Sequence, residues 1–366
     1  MPKKKIVFIN NNFQKSDGTV ATLIQLCNNL DSSKFDITIV PLYNCDSSLI
    51  SSLSPSIKVK KAFGFYFKGF NRLVRLIPAS FLYRKFIGSD FDIEIGFQCD
   101  NPTRIVGYKK KKSKVQACWM HGYAVYPKFF RNCDKIVCVS RSNAEKCKEQ
   151  LKDSDNVDYL YNLLDDKDIV AKSQADYLIP HREGPLFVTV GRLSPEKGFD
   201  RLIQILYDLR QEGYIFRLMI IGGGPQEKSL SKLISKLSMQ DSIYLMGKLD
   251  NPHCITRQAD LFICSSLSEG YNTACCEAAI LNVPVLTTSV SGAQELIDDC
   301  HCGLICGLDN QSLKDSIRFV LDHPSVIDDW KQVLEITKAN FYLNNRIHKV
   351  NAIFDDFYRL SIDRES

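Results

Sequence analysis

No stretch of this 366-residue chain stays apolar over the ~20 positions that a bilayer-spanning helix needs, so the sequence offers no transmembrane segment. The opening run, Met1-Pro-Lys-Lys-Lys-Ile-Val-Phe-Ile-Asn10, is too briefly apolar for a secretory signal and reads as a first strand. A cytoplasmic protein is expected. No Cys-x-x-Cys pair occurs among the 14 cysteines, and most sit in apolar runs, as Cys27, Cys138 and Cys264 do. The disulfide framework of a small secreted chain is therefore excluded, and the thiols are expected as small buried groups. Cys300-His-Cys302 and Cys306 are soft ligands at close spacing, but a second pair is missing, which disfavours zinc. A paired-aspartate ligand motif is absent too, so no metal is expected.

Acid is missing between Asp46 and Asp90. That gap holds Lys58, Lys60, Lys61, Lys68, Arg72, Arg75, Arg84 and Lys85, interleaved with Phe63, Phe65, Tyr66, Phe67, Phe70, Leu73, Leu76 and Phe81. Such a composition suits a segment lying on an anionic membrane surface. It equally suits a helix packed on its own domain with a basic outer face. No nucleic-acid motif accompanies it, so no nucleic-acid partner is expected, and Lys109-Lys-Lys-Lys112 reads as a solvated turn. Residues 1–180 hold 28 Lys and Arg against 18 Asp and Glu, a surplus of +10; the remainder holds 19 against 24, or −5.

What is present is an α/β pattern long enough for two domains. Ile6–Ile9, Ile37–Val40, Ile93–Phe97, Val115–Trp119 and Lys135–Val139 read as strands alternating with helices, the rhythm of a parallel sheet. The boundaries expected are a domain over 1–165 and a linker over 166–185, punctuated by Pro180, Gly184 and Pro185. A second domain over 186–340 and a final helix over 341–366 follow. Along that helix Ile347, Val350, Ile353, Phe354, Phe357 and Leu360 share one face.

The chemistry concentrates in the second half. Glu269 and Glu277 bracket a predicted helix N-terminus in Ser268-Glu-Gly-Tyr-Asn-Thr-Ala-Cys-Cys-Glu-Ala278, after the apolar strand Leu261–Cys264 and before a strand over 283–287. Asn272 or Thr273 can cap that helix, whose free amides form an anion site. Glu277 lies four residues past Thr273 on the same face. A diphosphate on the amides, with a carboxylate for the hydroxyls on either side, matches a sugar nucleotide. A second turn fits the same ligand: Gly191-Arg-Leu-Ser-Pro-Glu-Lys-Gly198 puts Arg192 and Lys197 between the strand Phe187–Val190 and a helix. Two cations at that sheet edge would offset charge building on a departing nucleoside diphosphate. Ile220-Ile-Gly-Gly-Gly-Pro225 lacks the third glycine of a dinucleotide fingerprint and reads as a tight turn.

These motifs, together with Ser291-Gly-Ala-Gln-Glu-Leu-Ile297, resemble the signatures of family 4 retaining glycosyltransferases, most densely over 186–308. The resemblance implies a GT-B fold: two Rossmann-like domains facing across a donor and acceptor cleft, with the nucleotide held mainly by the second. It implies Arg192 and Lys197 at the diphosphate, Glu277 at the ribose and Glu269 at the transferred sugar. Amides near Tyr271, Asn272 and Thr273 would complete the donor site, and Lys248 would line the base pocket. In the first domain it implies Gly18, in a loop facing the donor phosphates, and His121, against donor sugar and acceptor. On residues alone, a histidine at a sheet edge is structural more often than not.

The expected protein is a retaining, metal-independent transferase using no cofactor beyond a nucleotide-sugar donor, a UDP-sugar. Its acceptor would be a saccharide, lipid-linked, at the inner membrane face, in bacterial capsule, exopolysaccharide or O-antigen assembly. A nucleotide-sugar epimerase or hydrolase on the same fold, and a non-catalytic binding partner, are the alternatives.

Overall fold

The computed structural model describes residues 3–14, 18–67, 69–88, 90–112, 114–122, 127–152, 155–179 and 183–364. Met1, Pro2, Lys68 and Pro180, each drawn on above, lie outside them. The chain forms two compact units, Met1–Leu163 with Arg346–Ser366, and Leu164–Asn345.

The first unit carries a parallel sheet of seven strands, β1 (Lys4–Asn10), β2 (Phe35–Pro41), β3 (Lys58–Val59), β4 (Ile93–Gly96), β5 (Val115–Met120), β6 (Lys135–Cys138) and β7 (Val157–Tyr159). Their order is β3-β2-β1-β4-β5-β6-β7, so strand order reverses beside β1. The central strands are mostly apolar because helices cover both of their faces, with Glu94 of β4 and Gln116 of β5 as buried polar exceptions. Gly18–Asn29 is such a helix and buries Val20, Leu23, Ile24 and Cys27, as its spacing predicts. The last helix, Leu343–Asp363, closes this unit: Phe354 meets Phe8 and Phe35 at 6.2 and 6.0 Å, and Lys34 pairs with Asp355 at 2.6 Å.

Two expectations about charge change here. The 61–86 segment is neither wholly packed nor wholly free. Its two short helices, Phe70–Val74 and Ala79–Phe86, bury Phe70, Val74, Leu82, Tyr83 and Phe86 against Val7 and Ile9 of β1. Their outer surface carries exposed Leu73, Leu76 and Phe81 beside exposed Arg72, Arg84 and Lys85. The 109–112 cluster is not a solvated turn, because Lys111 reaches inward to the fully buried Glu94 at 2.6 Å. Tyr83 Oη donates to the same carboxylate at 2.6 Å.

The second unit carries six parallel strands, β8 (Leu186–Val190), β9 (Arg217–Ile221), β10 (Ile243–Gly247), β11 (Leu261–Cys264), β12 (Val285–Thr288) and β13 (Leu304–Cys306). The order β10-β9-β8-β11-β12-β13 puts the reversal between β8 and β11, which opens a crevice at their carboxyl ends. The stretch expected as a linker, 166–185, supplies the helix Asp166–Ser173, whose cap Asp165 accepts from the Asp168 amide. The strand read over 283–287 runs Val285–Thr288. The helix after the 222–226 turn starts at Glu227.

Candidate donor site in the second unit

The reversal between β8 and β11 brings together the two turns in which the sequence concentrates its chemistry. Gly198 lies in the left-handed region, φ 63°, and a Cβ there would stand 2.4 Å from the Ser265 carbonyl oxygen. Only glycine lets the 192–198 turn approach the 265–269 turn so closely. Three further contacts tie the two turns: Leu267 N donates to Glu196 O at 2.7 Å, Ser265 Oγ to Lys197 O at 2.9 Å, and the Arg201 guanidinium to Ser265 O at 2.7 and 3.0 Å. The 222–226 turn docks on the same edge, Leu193 N donating to Gly223 O and Gln226 N to Leu193 O. It is a tight turn, as its missing third glycine implies.

This stapling presents Lys197 to Glu269, Nζ to Oε1 at 2.6 Å. The same oxygen accepts from Ser266 Oγ at 2.6 Å and from Asn272 Nδ2 at 3.1 Å. Burial pulls the Lys197 pKa down, but the adjacent carboxylate outweighs it and the net shift is upward, so the ammonium stays charged. Asn272, not Thr273, caps the helix Thr273–Ile280: its Oδ1 accepts from Ala274 N at 3.1 Å and Cys275 N at 3.4 Å. Its Nδ2 also donates to Cys264 Sγ at 3.1 Å. The Cys275 thiol, hydrogen-bonded to that sulfur, draws the Cys264 pKa down to about 6. One amide side chain thus holds the helix cap, the carboxylate and a buried sulfur in register.

The remaining site residues of this unit surround that cluster or stand beyond it. Arg192 is exposed just past β8, and its guanidinium makes no hydrogen bond or ion pair among the described residues, while its carbonyl accepts from Ser194 N at 2.9 Å. Tyr271 is buried with its ring edge on Gly292. Thr273 begins the capped helix. Glu277, one turn on, keeps a quarter of its side chain exposed, yet desolvation pushes its pKa up to about 7. Its Oε2 lies 3.9 Å from Nδ1 of His253, whose own pKa burial lowers to about 4. At neutral pH that imidazole is uncharged, so the approach is no ion pair. Lys248 is exposed, with its Cβ beside Gly223.

Gly18 and His121 belong to the first unit. Gly18 is the exposed first residue of its helix, with open space around its α-carbon. His121 follows β5 and stands edge-on to Phe97 at 4.7 Å. Sequence reasoning missed Ser265, Ser266, Arg201, Cys264 and His253. For the two serines a signal existed: they follow β11 directly, at the strand edge where ligands gather. Among the described residues no cluster of three or more His, Cys, Asp or Glu could hold a metal ion. Cys300, Cys302 and Cys306 are buried thiols.

With this geometry in place, comparison assigns the class. Residues 173–334 match the family model for Glycosyl transferases group 1, so this part of the chain is similar to domains of that kind. The O-antigen biosynthesis glycosyltransferase WclY of Escherichia coli is 28% identical over 233 residues, 62% of this chain and 58% of that protein. The N-acetylgalactosamine-N,N'-diacetylbacillosaminyl-diphospho-undecaprenol 4-alpha-N-acetylgalactosaminyltransferase of Campylobacter jejuni is 28% identical over 190 residues, 51% of this chain and 49% of that one. The chain thus spans about half the length of the curated relatives it matches. The structure of Anabaena HepE in complex with UDP superposes with a TM-score of 0.71 over 96% of this chain and 98% of that one, at 14% identity. The fold is GT-B.

Proposed function

We propose that this chain transfers a hexose or N-acetylhexosamine from a UDP-sugar to a saccharide acceptor, with retention and without a metal ion. The acceptor is lipid-linked, and the work belongs to bacterial surface polysaccharide assembly at the inner face of the membrane. The observation that carries this reading is the half-buried cluster Lys197–Glu269–Asn272 at the start of a capped helix, beside the crevice between β8 and β11. Helix amides and two cations suit a diphosphate. UDP bound to HepE, and the diphospho-undecaprenol in the Campylobacter relative's name, support the donor and acceptor classes.

In this reading Arg192 and Lys197 grip the diphosphate and offset the charge it gains on leaving. Tyr271, Asn272 and Thr273 offer backbone amides, Glu277 accepts from the ribose hydroxyls and Glu269 from the sugar hydroxyls, and Lys248 borders the base. The acceptor hydroxyl attacks the anomeric carbon on the face that UDP vacates. The bond from anomeric carbon to phosphate oxygen breaks, and that oxygen takes the hydroxyl proton. For Gly18 and His121 the reading rests on the resemblance alone.

A thermal-shift screen across nucleotide sugars tests it. A donor at a hundred times its dissociation constant adds about 2.7 kcal/mol. No shift with any UDP-sugar ends the proposal, and UDP release without acceptor that yields no glycoside moves it to the hydrolase alternative. Activity that vanishes with EDTA and returns with magnesium removes metal independence.

A further inference from the structure

The outer surface of the 61–86 segment has no occupant within its own unit. Phe65 is 63% exposed, Phe67 50%, Leu73 50%, Leu76 80% and Phe81 49%. These side chains are anchored: Phe65 and Phe67 each lean on the buried Phe70, at 5.1 and 5.2 Å between centroids, and Tyr66 leans on Tyr43 at 5.7 Å. Large apolar groups scattered singly over a surface mean little, but a run of them on one short segment marks a docking surface.

Charge names the partner. Lys60, Lys61, Arg72, Arg84 and Lys85 are exposed, and none is ion-paired among the described residues; Lys58 and Arg75 are spoken for by Asp36 and Asp100. Five uncompensated cations beside exposed phenylalanine and leucine match a surface that is anionic at its rim and apolar beneath. A second copy of this chain, placed symmetrically, would set those cations against each other.

We propose that residues 61–67 and 69–86 form a membrane-docking face that seats on a bilayer carrying anionic phospholipid. Phe65, Phe67, Leu73 and Leu76 enter the headgroup boundary while the five cations meet the phosphates. Among the described residues no helix is long and apolar enough to cross, so the face lies on the bilayer without spanning it. This inference needs no nucleotide, so its failure and that of the glycosyl-transfer reading are told apart by one tube without donor.

The test is sedimentation of the full chain with vesicles of phosphatidylcholine alone, and of phosphatidylcholine with one third phosphatidylglycerol. Binding is expected only to the anionic vesicles, and to weaken as salt is raised. Arg72→Ala and Arg84→Ala should each lower the partition coefficient about fivefold. Leu73→Ser with Leu76→Ser should lower it at least as much, with the melting temperature unchanged because both side chains already face water. Equal partition into both vesicle types, no partition into either, or no response to the leucine variants overturns the proposal. So does a dimer in solution that those leucine variants dissolve.

Discussion

Lys197 and Glu269 hold each other at 2.6 Å with about four-fifths or more of each side chain buried. Glu269→Gln keeps an acceptor for Ser266 and Asn272 but leaves the ammonium without its anion. A loss of about 2–3 kcal/mol in urea unfolding is expected, below the value for a fully buried pair. UDP should restore more stability to this variant than it adds to the wild type, because the diphosphate supplies the missing charge. Lys197→Ala should cost about 1.5–3 kcal/mol of UDP affinity by calorimetry. Unchanged affinity would remove Lys197 from the diphosphate site.

Gly198→Ala meets both a left-handed backbone and the Ser265 carbonyl. It should destabilise by about 2 kcal/mol or more and, by pushing the two turns apart, weaken UDP binding as well. Gly18→Ala is the contrast, since a Cβ there meets nothing and the residue opens a helix. It should leave stability unchanged or raise it by a few tenths of a kcal/mol, up to ~1. If Gly18→Ala lowers donor affinity at full stability, backbone approach at that loop is the cause. Denaturant midpoints for both variants decide the matter.

The pH dependence of stability should hide two opposed slopes. Glu277 titrates near 7 when folded against 4.5 for the free side chain, so the folded state holds the extra proton between those values and stability falls as pH rises through them. His253 titrates near 4 against 6.5, so the unfolded state holds the extra proton there and stability climbs with pH. Each slope amounts to about 3 kcal/mol in full. Relative to the wild type, His253→Gln should lose stability as pH rises from 4 to 6.5, and Glu277→Gln should gain it from 4.5 to 7. Parallel curves for all three proteins would contradict both assignments.

Lys111→Ala strips the buried Glu94 of its cation and leaves only the Tyr83 hydroxyl. A loss of about 3–5 kcal/mol is expected. Lys111→Met combined with Glu94→Gln should recover most of it, since that removes both charges from the interior. Equal losses in the single and double variants would argue against the pairing.

The strand-and-helix alternation and the chemical turns were readable from sequence because both depend on near neighbours. Apolar runs such as Leu261–Cys264 must be covered on two faces, and Asn272 caps the next residue's helix. What escaped depends on partners far along the chain. Lys111 looks solvated until Glu94, 17 residues away on β4, is seen to need a cation. His253 carries no signal until the fold sets it beside Glu277, and Gly198 gains its meaning only from Ser265. The aromatic run at 63–70 likewise could not reveal which rings face inward, since Phe63 and Phe70 join the core while Phe65 and Phe67 stay exposed.

The helix Leu343–Asp363 has a consequence for the order in which the molecule takes shape. Phe354 and Phe357 fill a core begun by Phe8, so on the ribosome that core stays unfinished until residues more than three hundred positions later have emerged. The body between them is continuous in sequence and can mature first. Removing residues 347–366 would therefore open the first unit and leave the second whole.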